Sequence, residues 1–86
     1  MVRRARDAKI AADFGARLRE LRLEAGLSQE ALGDIAVVHR TYVSLVERGD
    51  ATPTLYSVVR FAEALSVDPA ELVRGLRTGG PKRRRR

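Results

Sequence analysis

Residues 28–49 read SQEALGDIAVVHRTYVSLVERG, and no other stretch restricts the fold as much. It holds two short amphipathic segments, 29–36 and 40–48, with only residues 37–39 between them. A connection this short holds its two helices as near neighbours at a fixed angle. Ser28 is placed as an N-cap, its hydroxyl taking one of the free backbone N–H groups that open a helix. Leu32 and Ala36 form the inward side of the first segment, with Ala31 and Ile35 at its flank. Val43 and Val46 face inward from the second, joined by Val38 from the turn. Gly33 lies inside the first helix, where glycine costs about 1 kcal/mol relative to alanine. That cost makes sense if another backbone passes close by.

The flanking sequence completes a helical domain. Ile10, Phe14, Leu18, Leu21 and Ala25 recur at spacings of three and four and predict one helix over 8–25. Gly26 stops it, and Leu27 is placed to fold back on its last turn. After the third helix, Gly49 and the loop DATPT lead to Thr54, the cap of a fourth helix over 55–65. Its inward residues are Leu55, Val58, Val59, Ala62 and Leu65. Asp68 before Pro69 opens a fifth helix that runs to about 76 with Leu72, Val73 and Leu76. TGGP then ends the pattern. The sequence carries no strand signal, repeat or heptad array, so the expected fold is all-α: a compact five-helix domain over 10–76 between a basic arm (1–9) and a basic, disordered tail (77–86).

Composition narrows the function. The 86 residues have room for one domain. There is no cysteine, which excludes disulfides and thiolate metal sites and fits a reducing cytoplasm. No apolar run approaches the ~20 residues of a membrane span. MVRRARDAK is not followed by the apolar core of a secretion signal. Net charge is +6, but residues 1–9 carry four basic groups against one acid, and residues 77–86 six against none. The domain between them holds seven arginines against ten acids. A basic arm suits a polyanion, most often nucleic acid; the alternative is a solubilising end. One histidine without cysteine or paired carboxylates makes no metal site. No nucleophile–base set is visible, so an enzyme is not expected, and neither is a cofactor or small-molecule ligand.

A pinned helix pair suits one task well. A major groove is ~12 Å wide and admits one helix. To read base edges that helix must be held at a set depth, with a partner helix packed across it over the phosphates. This needs a small residue where the helices touch, apolar anchors on both, and short polar or guanidinium groups outside. Gly33, then Leu32, Val38, Val43 and Val46, then Arg40, Thr41, Ser44 and Arg48 meet these needs in order. On a 3.6-residue helix Thr41, Ser44, Leu45 and Arg48 share one face, with Arg40 beside them.

Residues 14–76 resemble the lambda-repressor-like, Xre/Cro-type helix-turn-helix family. The likeness is carried by LRELRLEAGLSQEALGDIA, HRTYVSLVERGDATPTL and FAEALSVDPAELV. HRTYVS also resembles restriction–modification controller proteins. The resemblance implies sequence-specific binding of double-stranded DNA, usually as a homodimer on an inverted repeat, and transcriptional control. By position it puts Gln29 on a phosphate and Arg40, Thr41, Ser44 and Leu45 on bases. Arg48 and the 52–55 segment, with Thr54, fall at backbone-contacting positions, and Arg22 and Glu47 at those of an ion pair between the first and third helices.

Three positions depart from the family pattern. Val37 replaces the usual turn glycine; a positive φ there would strain a β-branched residue, so the turn is open to a different construction. Leu45 is apolar and better suited to a thymine methyl. Asp50 places an acid in a loop that commonly carries a base. Other residues keep two readings each. His39 either donates to a phosphate or has no special role in the turn. Tyr42 either touches a phosphate or covers the helix joint. Phe61, Leu65, Val73 and Leu76 form either a dimer face or the monomer core. The leading expectation is a small transcriptional repressor or autoregulator. The alternatives are a toxin–antitoxin DNA-binding antitoxin, or an interaction module that has lost DNA binding.

Overall fold

The structure, a computed structural model, describes residues 5–79, with side chains from residue 8 onward. It contains α1 (Ala5–Glu24), α2 (Gln29–Ala36), α3 (Arg40–Glu47), α4 (Leu55–Leu65) and α5 (Pro69–Val73), with no strand among the described residues. Most of the punctuation is local. Ser28 Oγ accepts the Ala31 N–H, Thr54 Oγ1 the Ser57 N–H, and Asp68 Oδ1 the Ala70 N–H. Gly26 takes φ 73°, and the Leu27 N–H folds back to the Arg22 carbonyl at 3.1 Å.

Both ends of the domain differ from expectation. Helix α1 opens at Ala5 rather than at 8, so residues 5–9 of the expected arm form its first turns. The segment ARDAK contains no breaker, and alanine, arginine and lysine are strong helix formers. Helix α5 stops at Val73, short of 76. Arg74 and Gly75 form a turn, Gly75 left-handed at φ 76°, closed by the Leu76 N–H on the Val73 carbonyl at 3.1 Å. Leu76 lies beyond the helix yet still packs on the core. Residues 1–4 and 80–86 of the expected arm and tail lie outside the described residues.

The core is built from Phe14 and Leu18 of α1, Leu32 and Ala36 of α2, Val43 and Val46 of α3, Val58, Phe61, Ala62 and Leu65 of α4, and Leu72 of α5. This settles the double reading of two dimer-face candidates. Phe61 is 0% exposed and Leu65 7%, so both complete the monomer core. Helix α4 packs against α1, α2 and α5, and Phe61 stacks on the Tyr42 ring with centroids 6.1 Å apart. Val73 remains exposed and Leu76 half-buried. Leu55, expected inside, is 80% exposed at the first position of α4.

Two glycines let backbones meet. A Cβ on Gly33 would lie 2.7 Å from the Val38 carbonyl oxygen, the close approach anticipated inside the second helix. A Cβ on Gly15 would overlap the Val46 carbonyl oxygen and sit 2.7 Å from that of Glu47, so α1 lies directly on the end of α3. Two arginines close helix C-termini over long sequence separations. Arg17 donates to the carbonyls of Glu71 (2.6 Å) and Arg74 (3.2 Å), and Arg60 Nε donates to that of Ala36 (3.2 Å). Such carbonyls have no partner within their own helix.

Candidate nucleic-acid interface

The turn between α2 and α3 is built around Val37. Its φ of 60° and ψ of 48° place it in the left-handed region. The Val38 N–H reaches the Gly33 carbonyl at 2.9 Å. The different construction left open for this turn is therefore not used: valine adopts the conformation a glycine would take, and its side chain is 74% exposed. A left-handed backbone costs a non-glycine residue roughly 1–2 kcal/mol.

His39 caps α3. Its Nδ1 accepts the Thr41 N–H at 3.0 Å. Neither of the two sequence readings of His39 included this role. With Nδ1 accepting, the neutral ring carries its proton on Nε2, which remains a donor at the start of α3.

Beyond the cap, Arg40 and Thr41 are exposed, Ser44 and Leu45 are half-buried, and Arg48 is the exposed C-cap. The opposite side, Val43 and Val46, is fully buried. Each arginine of this outer face lies near an exposed carboxylate. Arg40 Nη1 is 3.6 Å from Glu30 Oε2, and Arg48 Nε is 3.2 Å from Asp50 Oδ2.

Tyr42 turns inward beside this face. Its ring stacks on Phe61 and its hydroxyl donates to Ser57 Oγ at 3.2 Å. Both contacts tie α3 to α4. Thr54 also donates to Ser57 Oγ, at 3.1 Å. Ser57, which sequence reasoning did not single out, thus joins α3 to the cap of α4.

The base of the helix pair is braced by Arg22 and Glu47. Arg22 Nε donates to Glu47 Oε2 at 2.6 Å and Nη2 to Oε1 at 2.9 Å. Arg22 Nη1 donates to the Leu27 carbonyl at 2.8 Å, and Gln29 Nε2 to Glu47 Oε1 at 3.1 Å. The hydrogen bond from Glu47 raises the Arg22 pKa above its already high ordinary value, reinforced by the carboxylate charge and opposed by burial. One buried carboxylate thereby fixes the end of α1, the first residue of α2 and the last residue of α3. Among the described residues no group of three or more His, Cys, Asp or Glu could hold a metal ion. No helix there is long and apolar enough to cross a membrane.

The five helices of the described residues, with a braced pair presenting the outer side of its second member, define a helix-turn-helix protein. Residues 13–84 match the family described as a helix-turn-helix domain, and the chain belongs to that family. It is a DNA-binding transcription regulator of the lambda-repressor-like fold rather than an enzyme. Control protein C.BamHI from Bacillus amyloliquefaciens is 38% identical over 61 residues, 70% of this chain and 75% of that protein. The crystal structure of the restriction-modification controller protein C.AhdI from Aeromonas hydrophila is 45% identical, with TM-score 0.71 over 72% of this chain and 94% of that one. The DNA-binding domain of the P22 c2 repressor is 29% identical, with TM-score 0.69 over 72% of this chain and 82% of that one.

Proposed function

We propose that this protein is a small controller-type regulator that binds an inverted repeat in double-stranded DNA as a homodimer. It works in the cytoplasm and represses transcription or regulates its own. Helix α3 of each copy enters the major groove. Arg40 and Thr41 contact bases or phosphates at its start, Ser44 reads a base edge, and Leu45 meets a thymine methyl. The Nε2–H of His39 faces a phosphate. Gln29 and Thr54, at the first position of α2 and the cap of α4, and Arg48, past the end of α3, contact the backbone. Tyr42 acts from behind, holding α3 against α4. No small-molecule ligand or cofactor enters this scheme.

The observation that supports this most is the division of α3 into a buried side, Val43 and Val46, and an outer side carrying Arg40, Thr41, Ser44 and Leu45. Eight residues make a helix about 12 Å long, a length that suits a single groove. Likeness to the control proteins supports the controller role. A two-fold dimer places its reading helices one DNA turn apart, ~34 Å. Val73 and Leu76 are the remaining candidates for its interface.

The test is selection of bound duplexes from a random pool with the wild type and with Arg40→Ala plus Thr41→Ala. Enrichment of an inverted repeat by the wild type alone supports the reading. Enrichment of one motif by both proteins removes α3 as the reader. No enrichment by either leaves an interaction module or a toxin-binding antitoxin as the better account.

A further inference from the structure

Of the seven arginines in residues 10–76, six pair with an acid or a backbone carbonyl among the described residues, as Arg22 does with Glu47 and Arg48 with Asp50. Arg19 does neither, and it is exposed. Its place on α1 follows from the residues around it on the same helix. Ala12 packs on Gly49, where a Cβ would be 3.0 Å from Ala12 Cα, and Gly15 lies on the Val46 and Glu47 carbonyls. Arg22 holds the Glu47 carboxylate. At 3.6 residues per turn, Arg19 stands about 20° from Ala12 and about 40° from Gly15 around the helix axis. At 1.5 Å per residue, it lies about 6 Å past Gly15 and about 4.5 Å short of Arg22. Arg19 therefore projects from the edge of α1 that covers the end of α3, about 160° around from Arg17, which closes α5.

The acids at that edge are already engaged. Glu47 Oε2 accepts from Arg22 Nε, and Oε1 accepts from both Arg22 Nη2 and Gln29 Nε2. Asp50 Oδ2 lies 3.2 Å from Arg48 Nε. On α1 itself, Asp13 is held by Lys9 at 2.9 Å, and Glu20 stands about 100° away around the axis. The charge of Arg19 is thus left for a group outside the chain. Gln29, bonded to the same Glu47, and Arg48, next to it in the chain, are backbone contacts of the proposed complex. A guanidinium carries a planar fork of donors that fits two oxygens of one phosphate.

We propose that Arg19 is a further phosphate-binding residue, reaching from α1 to the strand that Gln29 contacts. Its ligand is one phosphate of the duplex backbone, beside the one at Gln29 and held without regard to base sequence. The contact rests on the reading of α3 as the groove helix, and it brings α1 into the interface.

The test uses the full chain as wild type, Arg19→Gln, Arg19→Lys and Gln29→Ala, together with Arg40→Ala plus Thr41→Ala. Affinity is measured against salt on the selected duplex and on an arbitrary one, and phosphate contacts are mapped by ethylation interference. Each cation seated on a phosphate contributes about 0.9 to the slope of log affinity against log salt. Arg19→Gln should lower that slope by about 0.9 per bound copy, about 1.8 for the dimer, with the selected sequence and the urea midpoint unchanged. Arg19→Lys keeps the charge and should keep the slope. The interference pattern of Arg19→Gln should lack one phosphate per half-site, adjoining the one that Gln29→Ala loses. An unchanged slope overturns the proposal and leaves Arg19 a solvated surface charge. A lowered slope with every phosphate contact retained also overturns it, as does loss of a phosphate remote from that of Gln29. If the Arg40 and Thr41 double variant loses selection while Arg19→Gln keeps the full slope, Arg19 alone fails. If the double variant selects the same sequence while Arg19→Gln loses slope and its phosphate, α3 is removed as the reader and the phosphate contact stands. Failure of the wild type to bind either duplex overturns both.

Discussion

Arg22 and Glu47 meet across α1 and α3 with side chains only 8% and 2% exposed, joined by hydrogen bonds of 2.6 and 2.9 Å. Breaking a buried pair by removing one partner leaves an uncompensated charge and costs about 3–5 kcal/mol. Glu47→Ala should lower the urea midpoint by that amount of stability. Replacing both residues, as Arg22→Met with Glu47→Leu, should restore most of it. The double variant should still bind the selected duplex more weakly than wild type, because Gln29 loses the acceptor that fixes its amide. Full recovery of affinity would show that this brace has no part in binding. The pH response also has a defined sign. A raised Arg22 pKa stabilises the fold at all pH values below the ordinary arginine value, and the contribution is lost only as pH rises through the still higher folded value. The pair should therefore add no pH dependence between pH 5 and about 10 from Arg22.

Val37 should be replaceable with profit to stability. It holds φ 60° with its side chain 74% exposed, so its shape is strained while its apolar surface is barely buried. Glycine relieves roughly 1–2 kcal/mol of left-handed strain and returns about 0.5–1 through the greater entropy of the unfolded chain. Val37→Gly should raise stability by about 0.5–1 kcal/mol, within the combined range of those two terms. A fall in the urea midpoint would mean that the valine side chain makes a contact worth more than the strain.

Gly15 is the reverse case. In a helix interior, alanine is better than glycine by about 1 kcal/mol, so propensity alone favours Gly15→Ala. A Cβ there would overlap the Val46 carbonyl, a backbone atom that cannot turn aside as a side chain can. The substitution should instead destabilise by at least ~2 kcal/mol, the scale of overpacking in a filled core. Thermal unfolding distinguishes the two signs directly.

The histidine cap separates stability from binding. His39→Ala should cost about 1 kcal/mol, a usual value for a lost N-cap, while His39→Asn and His39→Asp should keep the cap. On the selected duplex the asparagine variant should bind better than the aspartate variant, because only the acid repels a nearby phosphate. Equal binding by the two would remove His39 from the interface.

These residues also show why only part of the molecule was legible in its sequence. Ser28, Thr54 and Asp68 cap through contacts two or three residues away, so their spacing before an apolar stripe announces them. His39 does the same job, but histidine is an uncommon cap and sits here inside a turn. Gly15 and Gly33 look alike in sequence. Only Gly33 lies beside the tight connection that makes a close backbone obvious, whereas Gly15 meets α3 across 31 residues. Leu55 fits the apolar period of α4, yet as its first residue it lies beyond the reach of α2 and α5. For Phe61 the sequence leaves both a dimer face and the monomer core open, because its cover, the Tyr42 ring, comes from another helix. The outer face of α3 was legible because it is what remains when Val43 and Val46 are turned inward. The carbonyl closures by Arg17 and Arg60 were not, since nothing local marks them.

Glu30 and Asp50 bear on specificity more than on stability. Their partners Arg40 and Arg48 are exposed, as are the carboxylates themselves. Exposed pairs of this kind contribute about 0–1 kcal/mol, so Glu30→Gln and Asp50→Asn should leave the unfolding midpoint nearly unchanged. DNA binding is another matter. Each carboxylate competes with phosphate for an arginine and also repels the duplex. Any DNA sequence meets that barrier, but only the selected one offers Arg40 a base edge in return. Removing the carboxylates should therefore strengthen binding to an arbitrary duplex more than to the selected one, narrowing the ratio between them. Competition titrations at fixed salt measure both affinities. If the two rise by the same factor, the acids set overall affinity alone. If binding to the selected duplex weakens, Glu30 instead orients Arg40 for its contact.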